Sequence, residues 1–185
     1  MSKQIQVPTI NQVDTKSQAI FGQLKKALGK VPNLYATIGY SSTALEAFLN
    51  YSNAIGKGTF NKKEIEAIKL AVAQVNGCEY CLAAHTAIAK MNGFSESETF
   101  DLRSATSSNP HLQILTQLAK EISENKGRAS QSALDNFFAQ GFDEAALIDL
   151  IAVVTDITFT NYTHILTQVP VDFPKAKTLP SLVTA

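Results

Sequence analysis

The sequence predicts an all-α protein, a compact bundle of helical hairpins. Apolar residues recur at intervals of three and four through most of the chain, which places them on one face of a helix. Helix-start patterns such as Asn61 to Glu64 and Ser95 to Glu98 stand ahead of these segments, and glycines follow them. With 185 residues, of which 45% are hydrophobic, we expect one domain over residues 1–185 with a sizeable core.

Three helices are predicted ahead of the cysteines. Residues 1–13 read as an irregular lead-in that contains Pro8. Capping residues and breaks then mark three helical segments, from Asp14 to Gly29, from Pro32 to Tyr40 and from Ser41 to Gly58.

The next two helices form a hairpin from Glu66 to His85 that holds both cysteines. Asn76-Gly77 predicts a tight turn, so the Cys-x-x-Cys pair of Cys78 and Cys81 opens the second helix. The spacing i, i+3, i+7 places both cysteines and His85 on one face. The free N–H groups and the dipole at the helix start favour a thiolate. His85 can exchange a proton with Cys81 or orient a water.

Glu66 lies off the main apolar stripe of the helix before the turn. The pattern alone indicates a surface carboxylate paired with Lys62 or Lys69. Leu70 and Ala73 flank it, however, so a partner helix could cover this side and bring Glu66 towards the thiols.

Four helices are predicted after the hairpin, over Ser95 to Asn109, Pro110 to Gly127, Ser130 to Gln140 and Asp143 to Val169. His111 is interpreted as a solvated side chain, and His164 as a structural residue off the apolar stripe. That stripe of the last helix is predicted to comprise Leu147, Leu150, Ile151, Val154, Ile157, Asn161 and Ile165. Pro170, Pro174 and Pro180 predict an extended tail, which could pack on a neighbouring subunit.

The last long helix resembles the hairpin in outline. Residues 67–70 match residues 147–150 in pattern, and Cys81 falls opposite Asn161. An ancient internal duplication that lost its chemistry would explain this, and so would a chance match of two amphipathic helices.

Composition limits the classes of partner. Sixteen Lys and Arg residues balance 16 Asp and Glu residues without a basic stripe, so no nucleic-acid partner is expected. The first eight residues lack the apolar core of a signal peptide, and no apolar run is read as long enough to span a membrane. We therefore expect a cytoplasmic protein without a membrane partner.

The residues around the cysteine pair favour a redox-active dithiol but leave alternatives open. A mixed zinc site could use Cys78, Cys81, His85 and Glu66, although a second cysteine pair is missing. A structural disulfide is unusual in a reducing compartment. Two inert buried cysteines would leave the spacing to His85 as coincidence.

The spacing of Glu66, Cys78, Cys81 and His85 resembles the signature of the AhpD-like alkylhydroperoxidases of the carboxymuconolactone decarboxylase superfamily. The close resemblance covers about residues 60–94, within a motif region expected at about residues 43–125. It implies an AhpD-like fold and an enzyme that reduces organic hydroperoxides. Cys81 would attack the peroxide and become a sulfenate, and Cys78 would then form the Cys78–Cys81 disulfide.

The same resemblance assigns general-base work to Glu66 and proton relay to His85. It implies an external dithiol reductant, a lipoylated or thioredoxin-like protein, with no cofactor and no metal. It also implies a homo-oligomer, either a trimer or a hexamer.

One position departs from the family pattern. Alkylhydroperoxidases of this type often carry a second histidine just before the second cysteine, where this chain has Tyr80. A tyrosine donates a hydrogen bond but does not titrate near neutral pH. Two alternatives therefore stay open: a dithiol–disulfide oxidoreductase or redox sensor that does not act on peroxides in the cell, and a carboxymuconolactone decarboxylase-like enzyme. The decarboxylase branch typically lacks the cysteine pair.

Overall fold

Helices form nearly all of the regular structure in the computed structural model, which describes residues 5–179. A 3-10 turn at Ile10–Gln12 precedes α1 (Thr15–Leu28), α2 (Asn33–Ile38), α3 (Ser42–Ile55), α4 (Lys62–Val75), α5 (Glu79–Met91), α6 (Glu96–Ser104), α7 (Pro110–Glu124), α8 (Gln131–Ala139) and α9 (Glu144–Thr167). The described range holds no strand, so the all-α prediction is confirmed. Residues 1–4 of the predicted lead-in and Pro180 of the predicted tail lie outside it.

Side-chain caps set most of the helix starts. Asn61 accepts hydrogen bonds from two backbone N–H groups at the start of α4, and Glu64 accepts from the Asn61 N–H at 2.7 Å. Ser95 and Glu98 form the same capping box on α6. Such a cap typically contributes ~1 kcal/mol. α6 ends earlier than predicted, because Ala105 takes the left-handed conformation at φ 57° and reverses the chain.

Helix α4 forms the centre of the bundle, because α5, α6, α7 and α9 all pack against it. Its fully buried side chains are Ala67, Ile68, Leu70, Ala71, Val72 and Ala73. The prediction of one apolar stripe was therefore too narrow, since α4 is buried on nearly every side. The surface interpretation of Glu66 was wrong for the same reason, because only 7% of that residue is exposed.

Helix α9 is the longest element, and by length and composition alone it could cross a membrane. The expectation that no run reaches this length was thus wrong. In the part of the chain described, α9 packs as a core helix against α3, α4 and α7. Leu150, Val153 and Ile157 are at most 1% exposed.

The buried face of α9 is rotated from the predicted stripe. Ile151 and Ile165 are exposed, whereas Thr160 and His164 are buried. His164 therefore lies on the inner face and not beside it. The extent of one domain over residues 1–185 and the internal duplication stay predictions.

Candidate active site

The turn between α4 and α5 sets the position of the cysteines. Gly77 adopts φ 66°, a left-handed conformation that glycine takes without steric cost. The Cys78 N–H then donates to the Ala73 carbonyl at 3.1 Å, and Cys78 becomes the N-cap of α5. Its Sγ accepts a hydrogen bond from the Cys81 N–H at 3.2 Å. The predicted helix–turn–helix arrangement is confirmed at these residues.

Cys78 and Cys81 are joined by a disulfide, with their Cα atoms 5.3 Å apart. Both residues are almost fully buried. Cys81 Sγ lies 3.9 Å from the Thr160 hydroxyl of α9. Cys81, and not Cys78, lines a cavity, so a ligand in this cavity meets the second cysteine of the pair.

Glu66 and His85 form a direct contact between α4 and α5. His85 Nδ1 and Glu66 Oε2 lie 2.7 Å apart, and the two side chains are only 15% and 9% exposed. When Nδ1 carries the proton and donates to the carboxylate, Nε2 has a free lone pair that can accept a proton. Nε2 has no hydrogen-bond partner within residues 5–179, and His85 lines the same cavity as Cys81.

The cavity has a volume of about 340 Å³. Its wall is mainly apolar and includes Leu28, Pro32, Leu34, Ile88, Met91 and Phe173. A few polar groups converge on an otherwise apolar space, which is typical of a small-molecule site. The cavity takes its walls from α1, α2, α5, α9 and the segment after α9.

A segment without regular secondary structure, which we call the strap (residues 170–174), adjoins the cavity through Phe173. Tyr80 donates a hydrogen bond to Asp172 Oδ1 at 2.5 Å and accepts one from the Leu34 N–H at 3.2 Å. Lys30 Nζ lies 2.9 Å from Asp172 Oδ2 and 4.3 Å from the centre of the Phe173 ring. The described part of the tail, residues 168–179, has no regular secondary structure, and these contacts bind it to its own chain.

Electrostatics keep the Tyr80–Asp172 contact in one protonation state. Burial and the bond to Asp172 raise the pKa of Tyr80, so the phenol stays protonated. Burial alone would raise the pKa of Asp172, but hydrogen bonds from Tyr80, Lys30 and Asn33 outweigh it and lower that pKa below its usual value. At the position just before Cys81, this chain therefore has a tyrosine that anchors the strap beside the cavity.

Tyr35 is a cavity residue that the sequence reasoning did not single out. It lies on α2 and lines the cavity together with Cys81 and His85. Burial, together with the charges of Asp156 and Glu66, raises the pKa of Tyr35 to about 12. The only sequence signal was its place in a short apolar helix, which does not distinguish a core tyrosine from a site residue.

Three further ionisable residues do not line the cavity and instead make contacts between helices. Lys69, a predicted partner of Glu66, instead contacts buried Asp156 at 2.7 Å. His111 was predicted to be solvated, but its Nε2 lies 2.8 Å from Glu64 Oε1 and its ring packs on a phenylalanine. His164 packs beside Tyr80, and burial lowers its pKa.

The described residues contain no group of three or more His, Cys, Asp and Glu side chains arranged to hold a metal. Glu66 instead directs its carboxylate to His85. The sequence-predicted site residues therefore form two adjoining pairs, a dithiol and a carboxylate–imidazole contact. The cavity adjoins Cys81 of the first and His85 of the second.

Comparison with known proteins places these residues in a wider context. Residues 42–108, which contain all four, match the model of the carboxymuconolactone decarboxylase family. The uncharacterised protein YdfG of Bacillus subtilis (strain 168) is 24% identical over 108 residues, which are 57% of this chain and 74% of that protein.

Two solved structures share the fold over most of the chain. The debrominase Bmp8, in a cysteine-to-alanine variant bound to 2,3,4-tribromopyrrole, has a TM-score of 0.77 at 17% identity and covers 93% of both chains. A peroxidase-related protein from Ralstonia eutropha JMP134, described as an alkylhydroperoxidase AhpD core, has a TM-score of 0.77 at 19% identity. It covers 86% of this chain and 87% of its own. At these identities the similarity shows the fold.

Proposed function

We propose that this chain, an AhpD-like protein of the carboxymuconolactone decarboxylase superfamily, is a thiol-dependent peroxidase that reduces organic hydroperoxides. The observation that carries the proposal is the meeting of Cys81 and His85 at one apolar cavity, with His85 held by Glu66 at 2.7 Å. A reactive thiol, a proton acceptor and space for an organic group are the three requirements of this chemistry.

In the proposed first step, His85 accepts the thiol proton of reduced Cys81 with the help of Glu66. The thiolate attacks the terminal oxygen of the hydroperoxide, so an S–O bond forms and the O–O bond breaks. The alkoxide leaves with the electron pair and takes up the proton held at His85. The products are an alcohol and a Cys81 sulfenic acid.

Cys78 completes the oxidative half of the cycle. Its thiol displaces the sulfenic oxygen as water and forms the Cys78–Cys81 disulfide. The Cα–Cα distance of 5.3 Å supports this role, because it lies within the usual range for a disulfide. An external dithiol then reduces the disulfide by exchange. A lipoylated or thioredoxin-like protein is the class of reductant that we propose.

The test is the intact mass of the fully reduced protein after one equivalent of cumene hydroperoxide. We expect the loss of two hydrogens within seconds, and peptide mapping should place the new bond between Cys78 and Cys81. An unchanged mass with both thiols free would refute the peroxidase proposal. Metal content and disulfide-exchange rates would then distinguish a metal site from an oxidoreductase or redox sensor.

Single cysteine variants separate the two thiol roles. Cys81→Ser should abolish peroxide consumption, because the attacking sulfur is lost. Cys78→Ser should still react once and stop at a sulfenic acid or a mixed disulfide, detected by trapping with dimedone. A Cys81→Ser variant with full turnover would contradict the mechanism, and it would favour a decarboxylase-like reaction that does not use the cysteines.

Reductive dehalogenation is a second candidate, favoured by the fold shared with Bmp8 and by the aromatic side chains around the cavity. Thiolate attack on bromine would give a sulfenyl bromide and a ring carbanion that takes a proton. Cys78 would then displace bromide to form the same disulfide. Release of bromide from 2,3,4-tribromopyrrole, faster than cumene hydroperoxide is consumed, would favour this candidate.

The proposal also includes homo-oligomeric assembly, as a trimer or hexamer, and a cytoplasmic location. Exposed apolar residues on α9 support assembly, since Ile148, Tyr162 and Leu166 are 64%, 62% and 85% exposed. Light scattering coupled to size exclusion would measure the particle mass. A monomer at working concentration would contradict assembly and leave the thiol chemistry unaffected.

A further inference from the structure

We propose that the Tyr35 hydroxyl donates a hydrogen bond to the leaving oxygen of the hydroperoxide. This inference rests on the peroxidase function proposed above and adds a substrate contact from α2. Neither the cysteine signature nor the Glu66–His85 contact includes this helix, so the residue belongs to a separate part of the site.

The position of Tyr35 is fixed by packing. Its ring contacts the Phe48 ring edge-on, with the ring centres 5.8 Å apart. The start of α2 is held by the hydrogen bond from the Leu34 N–H to Tyr80. Among residues 5–179 the Tyr35 hydroxyl has no hydrogen-bond partner, although the residue lines the cavity next to Cys81 and His85.

The charges around Tyr35 keep its proton in place. Burial and the charges of Asp156 and Glu66 raise the pKa of the phenol to about 12, so it remains a donor across the physiological range. Glu66 Oε2 contacts His85 and Asp156 Oδ2 contacts Lys69, each at 2.7 Å, whereas Asp156 Oδ1 is buried without a hydrogen-bond partner in the described part of the chain. No hydrogen bond within residues 5–179 joins the Tyr35 hydroxyl to either carboxylate, so the donor is available to a ligand in the cavity.

A hydrogen bond from Tyr35 assists the step in which negative charge moves to the leaving oxygen. As the Cys81 thiolate forms the S–O bond, the O–O bond breaks and negative charge develops on the departing alkoxide. A fixed hydroxyl stabilises that charge more than it stabilises the neutral peroxide. Tyr35 keeps its own proton, and the alkoxide is protonated from the Glu66–His85 pair, so atoms and charge balance.

The test variant is Tyr35→Phe, which keeps the ring and removes only the hydroxyl. Stopped-flow oxidation of the reduced protein is measured with tert-butyl hydroperoxide, whose leaving alkoxide is strongly basic. We expect the second-order rate constant to fall ~10–100-fold. With peracetic acid, whose leaving acetate is weakly basic, the expected fall is less than ~3-fold, because little charge needs stabilising.

Tyr51→Phe is the matched control. The Tyr51 hydroxyl bonds to Thr155 at 2.8 Å between α3 and α9 and does not line the Cys81 cavity. Its loss should leave both oxidation rates unchanged. Alkylation of Cys81 by iodoacetamide should have the same rate in wild type and Tyr35→Phe, because Tyr35 acts on the leaving group and not on the thiolate.

The outcomes separate this inference from the proposed function. A wild-type protein that no hydroperoxide oxidises would overturn both. A reactive wild type with an equally reactive Tyr35→Phe variant would overturn the Tyr35 assignment alone. An equal loss with both oxidants, accompanied by slower alkylation, would also overturn it, because it would indicate a purely structural role.

Discussion

Helix α4 carries two carboxylate–imidazole contacts whose surroundings differ. Glu66 meets His85 at 2.7 Å beside the cavity, with both side chains at most 15% exposed. Glu64 meets His111 at 2.8 Å, but this histidine side chain is 37% exposed and packs on Phe142. The contacts have nearly the same length, but His85 uses Nδ1 whereas His111 uses Nε2, and of the two histidines the cavity beside Cys81 is lined by His85.

The Glu66–His85 contact gives a prediction for the variant Glu66→Gln. The amide keeps the shape of the side chain but cannot stabilise a protonated His85, so we expect oxidation of Cys81 by cumene hydroperoxide to slow ~10²-fold. Stopped-flow kinetics would measure the rate. Glu64→Gln is the matched control and should keep both the wild-type rate and the capping box, because a glutamine at this position also accepts a hydrogen bond from the Asn61 N–H. Equal rates in the two variants would refute a proton-transfer role for Glu66.

At the residue scale, the sequence predicted those site residues that lie close together along the chain. Cys78, Cys81 and His85 lie within two turns of one helix, so their proximity follows from the helical period. The burial of Glu66 could not be read from periodicity, because it depends on which helices cover α4. Tyr35 and Phe173 reach the cavity from distant segments, and no local pattern marks either one.

At the scale of elements, the strap shows how a segment without regular structure becomes ordered. Asp172 accepts from Tyr80 and the Asn33 N–H and pairs with Lys30. The lowered pKa of Asp172 means that its stabilising contribution is present above pH ~4 and is lost as the pH falls through the folded-state pKa. The strap should therefore loosen in acid.

The corresponding variant is Asp172→Asn, which removes the charge at every pH. We expect faster amide hydrogen exchange in residues 170–174 at pH 7, measured by mass spectrometry. The wild type should show a similar increase below pH ~4, after correction for intrinsic exchange rates. Asp149→Asn is the control, because Asp149 accepts two hydrogen bonds from Thr59, away from the strap. Unchanged exchange in Asp172→Asn would show that Asp172 does not hold the strap.

Helix boundaries were the most predictable features of the fold, because N-cap residues and C-terminal glycines determine a helix end from within a few residues of it. The start of α6 at Ser95 follows from its capping box, whereas its end at Ala105 does not, since alanine rarely takes a left-handed conformation. The buried face of α9 was misjudged because several neighbouring helices together decide which side is covered. The prolines predicted an extended tail but could not indicate what it would contact.

At the scale of the whole molecule, a buried ion pair joins the central helix to the longest one. Lys69 of α4 and Asp156 of α9 lie 2.7 Å apart, with side chains 13% and 2% exposed. Removal of one partner from such a pair leaves an uncompensated charge in the interior. Replacement of both partners by apolar side chains often has little cost.

Lys69→Met should therefore lower the free energy of unfolding by ~3–5 kcal/mol. The double variant Lys69→Met/Asp156→Leu should regain most of this loss. Urea unfolding at a fixed redox state would measure both. Lys16→Met is the control, since the Lys16–Glu46 pair is about half exposed and should contribute less than ~1 kcal/mol. A double variant as unstable as the single one would show that the pair does more than neutralise charge.

The Glu66–His85 hairpin and the cavity have different origins in the chain, and this makes the site modular. One stretch of 20 residues carries the thiols, the imidazole and the carboxylate, so its reactivity could be transplanted as a cassette into another helical scaffold. The other walls come from α1, α2, the end of α5 at Ile88 and Met91, α9 and the strap, and these can diverge independently. Proteins with this architecture can therefore change substrate through substitutions in the cavity walls, while the residues of the reactive centre stay the same.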